Sequence, residues 1–220
     1  MNQSAESIKK KSGTEVLPVV CDISTDKGRD TLFETCIKHF GNPDILVTNN
    51  GGPKPGDPKS FEEKDYQSAL NNNFLSAVSS VKKVLPSMIE KNWGRIIMIT
   101  SAAVKQPVQH LILSNTARSA LTAYAKTLAT DLAKTGITVN TVLPGVHSTA
   151  RVESLVNSIA QQENRTVKDV LDEWSARVPV GRLGTIEEFG SLVTYLCSRQ
   201  AGFITGQAIL HDGGGTLGML

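Results

Sequence analysis

The stretch that decides the fold is DILVTNNGG, Asp44 to Gly52. Its first half is a short apolar run. Its second half is Thr, two Asn and two Gly, residues that build turns. A short apolar run that ends abruptly in a glycine-rich turn reads as a strand buried on both faces, with its carboxyl end opening into a loop. The same shape returns three times. RIIMITSA (Arg95 to Ala102) passes from apolar to hydroxyl residues, ITVNTVLPG (Ile137 to Gly145) ends in a Pro-Gly turn, and QAILHDGG (Gln207 to Gly214) ends in Asp-Gly-Gly. Upstream, EVLPVVCDI reads as one more strand, Val16 to Cys21, with Asp22 at its carboxyl end.

Between these runs lie amphipathic stretches. Leu32, Phe33, Cys36, Ile37 and Phe40 recur at helical spacing, and Gly41 is the expected stop. Ser60 and Glu63 have the spacing of a capping box. The helix they open carries Leu70, Phe74, Ala77, Val81, Leu85 and Met88 as one stripe. A further helix from about Ser114 to Lys134 turns Leu121, Tyr124, Leu128 and Leu132 inward and stops at Gly136. Residues 150–178 read as one or two helices, and Thr185 with Glu188 caps another. Strand and helix alternate throughout. The expected fold is therefore α/β, a doubly wound parallel sheet covered on both faces, built as a single domain over residues 1–220. The polar and glycine-rich residues all follow strands, so a ligand is expected at the carboxyl edge of the sheet.

Composition narrows the function. The 220 residues carry a formal net charge of +2, too little to argue for nucleic acid or an acidic membrane as partner. The one charge run, Lys9 to Lys11, reads as a solvated helix face. No apolar run is long enough to span a bilayer, and the polar amino terminus does not read as a signal peptide. Three cysteines without CxxC spacing fit a reduced compartment, with Cys21 and Cys36 packing as small hydrophobes. No metal-ligand spacing is present.

Taken together these motifs resemble the short-chain dehydrogenase/reductase family, and within it the 3-oxoacyl-acyl-carrier-protein reductase-like members. DILVTNNGG resembles the family's DILVNNAG turn, with Thr48, Asn49, Asn50 and Gly51 on the motif positions. Asn73 in NNNFLSA matches the family's helix Asn, and Ser101 its catalytic Ser. ITVNTVLPGVHST matches I-x-V-N-x-V-x-P-G-x-x-x-T, and FITGQAILHDGG the last strand and turn. The likeness runs from about Ile8 to Gly214.

There are two departures. The family's Y-x-x-x-K falls on Ser114 and Arg118 in the stretch SNTAR, thirteen residues beyond Ser101. The glycine-rich TGxxxGxG turn is missing. Met1 falls where the family is already in its second helix, so the expected sheet lacks its first β-α-β unit. Val16–Cys21 would then be the family's third strand with no partner on either side.

The resemblance implies hydride transfer between NAD or NADP and a ketone or 3-oxoacyl thioester. It also implies cytoplasmic location and a homo-oligomer, dimer or tetramer. Without the phosphate turn, cofactor binding is expected to be weak or absent. In the family a Tyr gives the proton and a nearby Lys⁺ tunes it. Ser114 is shorter and far less acidic, and Arg118 keeps the charge but never deprotonates. Asn73, Ser101, Ser114 and Arg118 are the catalytic candidates, with Lys105 and His110 as possible replacement donors. Ser101 is equally a residue that caps its turn. Asp22 and Ile23 match the adenine contacts, though Asp22 could instead cap the helix after it. Asn49, Asn50, Gly51 and Arg118 match the ribose and nicotinamide side, where Asn50 replaces a small Ala and would crowd the face. Pro144, Gly145 and Thr149 match the nicotinamide turn. Residues 150–180 correspond to a substrate lid, with Val152, Leu155, Val156, Ile159 and Trp174 lining an apolar site or forming an ordinary helix core. Two other readings stand beside the reductase. One is a non-catalytic ligand-binding or oligomer subunit. The other is non-redox chemistry on this scaffold, as in the dehalogenase branch.

Overall fold

The computed structural model describes residues 2–218. Its strands are β1 (Ile45–Thr48), β2 (Gly94–Ile99), β3 (Ile137–Pro144) and β4 (Ala208–His211). Its helices are α1 (Asn2–Ser12), α2 (Asp26–Phe40), α3 (Glu63–Leu70), α4 (Ser76–Glu90), α5 (Ile112–Asp131), α6 (Ala150–Gln162), α7 (Val167–Ala176) and α8 (Ile186–Cys197). The strands form one parallel sheet in the order β1-β2-β3-β4.

β2 shows why these residues make a three-layer core. It is buried along its whole length. Successive side chains of a strand point to opposite faces. Ile96 and Met98 therefore pack with Phe33 of α2, Val81 and Met88 of α4 and Leu121 of α5. Ile97 and Ile99 pack on the other face with Leu196, Phe189 and Val193 of α8. The stripe read along α4 is the buried one, with Ala77, Val81 and Met88 inside. Tyr124 belongs to this core as expected and meets Phe74 edge to face at 6.0 Å. Lys9 to Lys11 lie exposed on α1.

Polar clamps tie the strands at their ends. Arg95 is 3% exposed. Its guanidinium donates to the carbonyls of Gly94, Gly136 and Ser198 and stacks on Trp93 at 4.7 Å. Asn140, fully buried, donates to Ile204 O at 2.7 Å and accepts from Gln207 N at 3.1 Å, fixing the turn that enters β4. Gly136 ends the connection after α5 with φ 72°, and a Cβ there would stand 2.2 Å from Asn92 O, so only glycine fits.

The sheet departs from expectation on one side. Val16–Cys21 forms no strand, and Val20 is 84% exposed. A strand exists only as one rung of a ladder, and no backbone hydrogen bond joins this segment to β1. β1 is thus an open edge among the described residues, with Ile45 and Val47 exposed. Two capping assignments also move. Thr25, not Asp22, caps α2, by accepting from Gly28 N. α3 is opened by Glu62, whose backbone N–H donates to Asp65, while Ser60 sits in a preceding 3₁₀ turn. Gly41 and the Thr185–Glu188 box stand as read.

Candidate active site

The carboxyl ends of β1, β2 and β3 open into one cleft of about 660 Å³. Most of the residues singled out by spacing meet there: Asn49, Asn50, Gly51, Ser101, Ser114, Arg118, Pro144, Gly145 and Thr149. Ser101 stands just beyond the end of β2. Its hydroxyl oxygen accepts from Ala103 N at 3.1 Å and so starts a 3₁₀ turn, which leaves its O–H to donate into the cleft. Ser114 and Arg118 stand one turn apart on α5 and share a face. Ser114 is 9% exposed, and its hydroxyl has no hydrogen-bond partner among the described residues.

Arg118 does something spacing did not foretell. Its Nη1 donates to the carbonyls of Ile99 at 3.0 Å and Thr100 at 2.8 Å, and its Nη2 to Asn50 O at 3.1 Å. The guanidinium thus staples the end of β2 to the turn after β1. Burial, and then the charge of Arg151, pull its pKa below the ordinary guanidinium value. It stays charged all the same. Asn50 does not crowd the cleft. Its side chain turns to the π turn Asn71–Leu75 and the start of α4, donating to Asn72 O and to Ser76 Oγ. The Asn and the Arg act together: one side chain ties the turn to the helices, the other ties its carbonyl to β2.

Three candidates lie next door. Asp22 and Ile23 line a groove of about 440 Å³ that meets the cleft through the shared Asn49, Asn50 and Gly51. Asp22 accepts from Ser24 N at 2.9 Å, and hydrogen bonding by Ser24 holds its carboxyl below its ordinary value. Asn73 lines a separate hollow with Gly51, Gly52 and Leu113. It sits in a π turn, Asn71–Leu75, donates to Ala69 O at 3.2 Å, and leaves its buried Oδ1 without a partner. Lys105 and His110 are exposed and line no part of the cleft; Leu111 lines it in their place. Of the apolar lid residues only Val152 and Trp174 reach the cleft. Val156 and Ile159 pack inside the α6–α7 pair, and Leu155 is 48% exposed.

The sequence reading missed His147, Thr100 and Arg151, which all line this cleft. His147 stands inside the PGVHST motif, so a titratable residue beside the nicotinamide-turn candidates was the available signal. It is 9% exposed, and its Nε2 lies 2.8 Å from Nδ1 of His211. No carboxylate lines the cleft among the described residues. The buried Thr100 hydroxyl has no partner there either.

A family model described as enoyl-(acyl carrier protein) reductase matches residues 1–216. The chain belongs to the short-chain dehydrogenase/reductase family. An acetoacetyl-CoA reductase of Cupriavidus necator is 32% identical, over 84% of this chain and 70% of its own. A tropinone reductase homolog of Datura stramonium is 31% identical, over 94% and 76%. The structure of an L-sorbose reductase from Gluconobacter frateurii, in complex with NADPH and L-sorbose, superposes with a TM-score of 0.94 at 29% identity, covering 100% of this chain and 83% of the other. This short-chain dehydrogenase/reductase presents Ser101, Ser114 and Arg118 in the cleft at the carboxyl edge of its sheet.

Proposed function

We propose that this protein is an NAD(P)H-dependent reductase of a ketone or 3-oxoacyl thioester. The observation that carries the reading is the convergence of Ser101, Ser114, Arg118 and the Pro144–Thr149 turn on one cleft at the carboxyl edge of a parallel sheet. The reductases of Cupriavidus and Gluconobacter support it.

The residues present suit the nicotinamide end of such a cofactor. The wall is apolar and hydroxyl-rich, Thr100 offers an unspent buried hydroxyl, and the charged groups facing it are cationic. Pro144, Gly145 and Thr149 would hold the nicotinamide, Asn49, Asn50 and Gly51 the ribose, and Asp22 with Ile23 the adenine. When bound, the cofactor supplies the hydride. The protein positions the acceptor. Ser101 Oγ–H and Ser114 Oγ–H donate to the carbonyl oxygen as negative charge grows on it. Neither hydroxyl is acidic enough to give up its proton near neutral pH, so the product oxygen takes its proton from water that enters the cleft. Losing a positioned acid costs roughly 10²–10⁴-fold, so turnover is slow.

By the same family likeness the protein works in the cytoplasm as a homo-oligomer, dimer or tetramer, and residues 150–180 act as the substrate lid. Membrane and nucleic acid are no part of this reading. A second reading, a non-catalytic ligand-binding member, is favoured by one observation: Arg118 spends three donors on backbone carbonyls.

The test is NADPH and NADH oxidation with a panel of ketones, 3-oxoacyl thioesters and sugars. Slow oxidation that depends on the carbonyl compound supports the reductase. Ligand binding without hydride transfer across the panel supports the second reading.

A further inference from the structure

The cleft is cationic and has nothing of its own to neutralise it. Arg118 and Arg151 both line it, and no carboxylate does among the described residues. The two guanidiniums flank one short turn. Arg118 Nη2 lies 3.1 Å from Asn50 O, and a side chain begun at Gly52 would stand 3.7 Å from Arg151 Nη1 and 3.9 Å from its Nη2. Both terminal nitrogens of Arg151 therefore lie beside the turn, at the exposed rim of the cleft.

Arg151 also lacks a reason to be there. It has no ion-pair partner among the described residues, although Arg165, Arg177 and Arg182 all have carboxylate partners. It sits in the first turn of α6, just after the capping Thr149, where the helix dipole disfavours a cation. Arg118 spends three of its five N–H donors on carbonyls, which leaves two. Those carbonyls are neutral, so its full charge remains uncompensated. Two like charges that flank one turn without a counter-charge disfavour each other, and an anion bound between them would offset that repulsion.

We propose that Arg151 and Arg118 form an anion-binding subsite across the Asn50–Gly52 turn, which takes a carboxylate or phosphate group. The proposal rests on reading this cleft as the reductase site and deepens it. Two sources have this chemistry: the phosphates of the dinucleotide, and an acid group on the carbonyl substrate. An oxo acid would be held with its carbonyl among the hydroxyls of Ser101 and Ser114. Arg151 supplies the planar fork that grips either oxyanion with two parallel hydrogen bonds.

The experiment compares parent, Arg151→Ala and Arg151→Lys. Tryptophan fluorescence reports binding of inorganic pyrophosphate, acetoacetate and ethyl acetoacetate, because Trp174 lines the same cleft. NADPH binding is read from the cofactor's own fluorescence. Arg151 is exposed, so Arg151→Ala should keep its circular dichroism and melting point. If phosphate is the source, Arg151→Ala weakens pyrophosphate and NADPH about 10- to 100-fold and leaves acetoacetate alone. If the substrate acid is the source, acetoacetate weakens by that factor and its uncharged ester does not. Arg151→Lys keeps part of the affinity in either case. Unchanged affinity for both anions in Arg151→Ala overturns the proposal, as does no saturable binding of either anion by the parent up to tens of millimolar. Failure of the reductase reading would show elsewhere, as missing hydride transfer, and these titrations do not depend on turnover.

Discussion

His147 and His211 share one hydrogen bond, Nε2 to Nδ1 at 2.8 Å, and their rings stack with centroids 4.9 Å apart. The proton positions follow from the partners. His147 Nδ1 lies 3.2 Å from Gly145 O, which can only accept, so that nitrogen carries hydrogen. Neutral His147 then accepts from His211 Nδ1–H. Phe189 meets both rings edge on, at 5.2 and 5.5 Å.

The pair makes stability depend on pH. Burial lowers the His147 pKa, the Gly145 carbonyl raises it, the His211 charge lowers it further and Glu188 raises it. The net direction is down. The folded state thus binds a proton less readily than the unfolded chain, and stability is full above the ordinary histidine range. It falls as pH drops below that range, with a slope of at most about 1.4 kcal/mol per pH unit for one group. Urea midpoints taken from pH 7.5 to 5 should decline in the parent and decline less in His147→Phe. Parallel declines would show that His147 is not the group responsible.

Arg118 should matter more for stability than for chemistry. Arg118→Met leaves the carbonyls of Ile99, Thr100 and Asn50 without their donors. Each buried unmet group costs about 1–3 kcal/mol, so for three carbonyls a loss of about 3 kcal/mol or more is expected. Arg118→Lys should recover part of it, because an ammonium reaches fewer acceptors than a planar fork. Denaturant midpoints measure both. A loss under about 1 kcal/mol for Arg118→Met would mean the staple is slack.

Ser114→Tyr should raise ketone reduction, by about 10- to 100-fold, because a phenol in the cleft can give up a proton that the serine hydroxyl does not. Adding Arg118→Lys should bring no further gain, since it loosens the Asn50 turn that the staple holds. The two changes are therefore expected to be non-additive. NADPH oxidation by the parent, both single variants and the double variant checks this. Gains that multiply cleanly would show that the two positions act independently.

The open edge of β1 predicts self-association. Ile45 and Val47 on that strand are 43% and 44% exposed, and Ile37 and Phe40 on α2 are 41% and 50% exposed. Unpaired strand edges flanked by apolar side chains recruit further strands, and lysine there prevents it. Val47→Lys should slow the growth of light scattering at 37 °C several-fold while moving stability by no more than about 0.5 kcal/mol. Equal scattering in parent and variant would place the sticky surface elsewhere.

Much of this architecture was legible because turns follow strands. The four short apolar runs of the sheet each end in residues that cannot continue a strand, and those after the first three form the cleft. Asn49, Ser101 and Pro144 follow strands and so fall at the sheet edge, while Ser114 was singled out only through the resemblance to the family motif. Val16–Cys21 misled because its composition suits a strand, but strand formation is decided by a neighbour that composition does not show. The direction of the Asn50 side chain was hidden too, since it depends on Ser76, which lies 26 residues away. His147 and His211 are 64 residues apart, and neither carries a local mark of the other. Arg118 lines the cleft, but its partners were hidden, because they are main-chain carbonyls, which every residue has.

Two buried arginines hold β2, one at each end. Arg95 grips Gly94, Gly136 and Ser198 at its start, and Arg118 grips Ile99 and Thr100 at its finish. Each meets carbonyl dipoles, with no opposite charge for dissolved ions to replace. Exposed pairs such as Lys83–Asp30, which link α4 to α2, are screened as ionic strength rises. The strand beneath the cleft is not. Concentrated salt would thus loosen the outer helices while leaving the floor of the site in place.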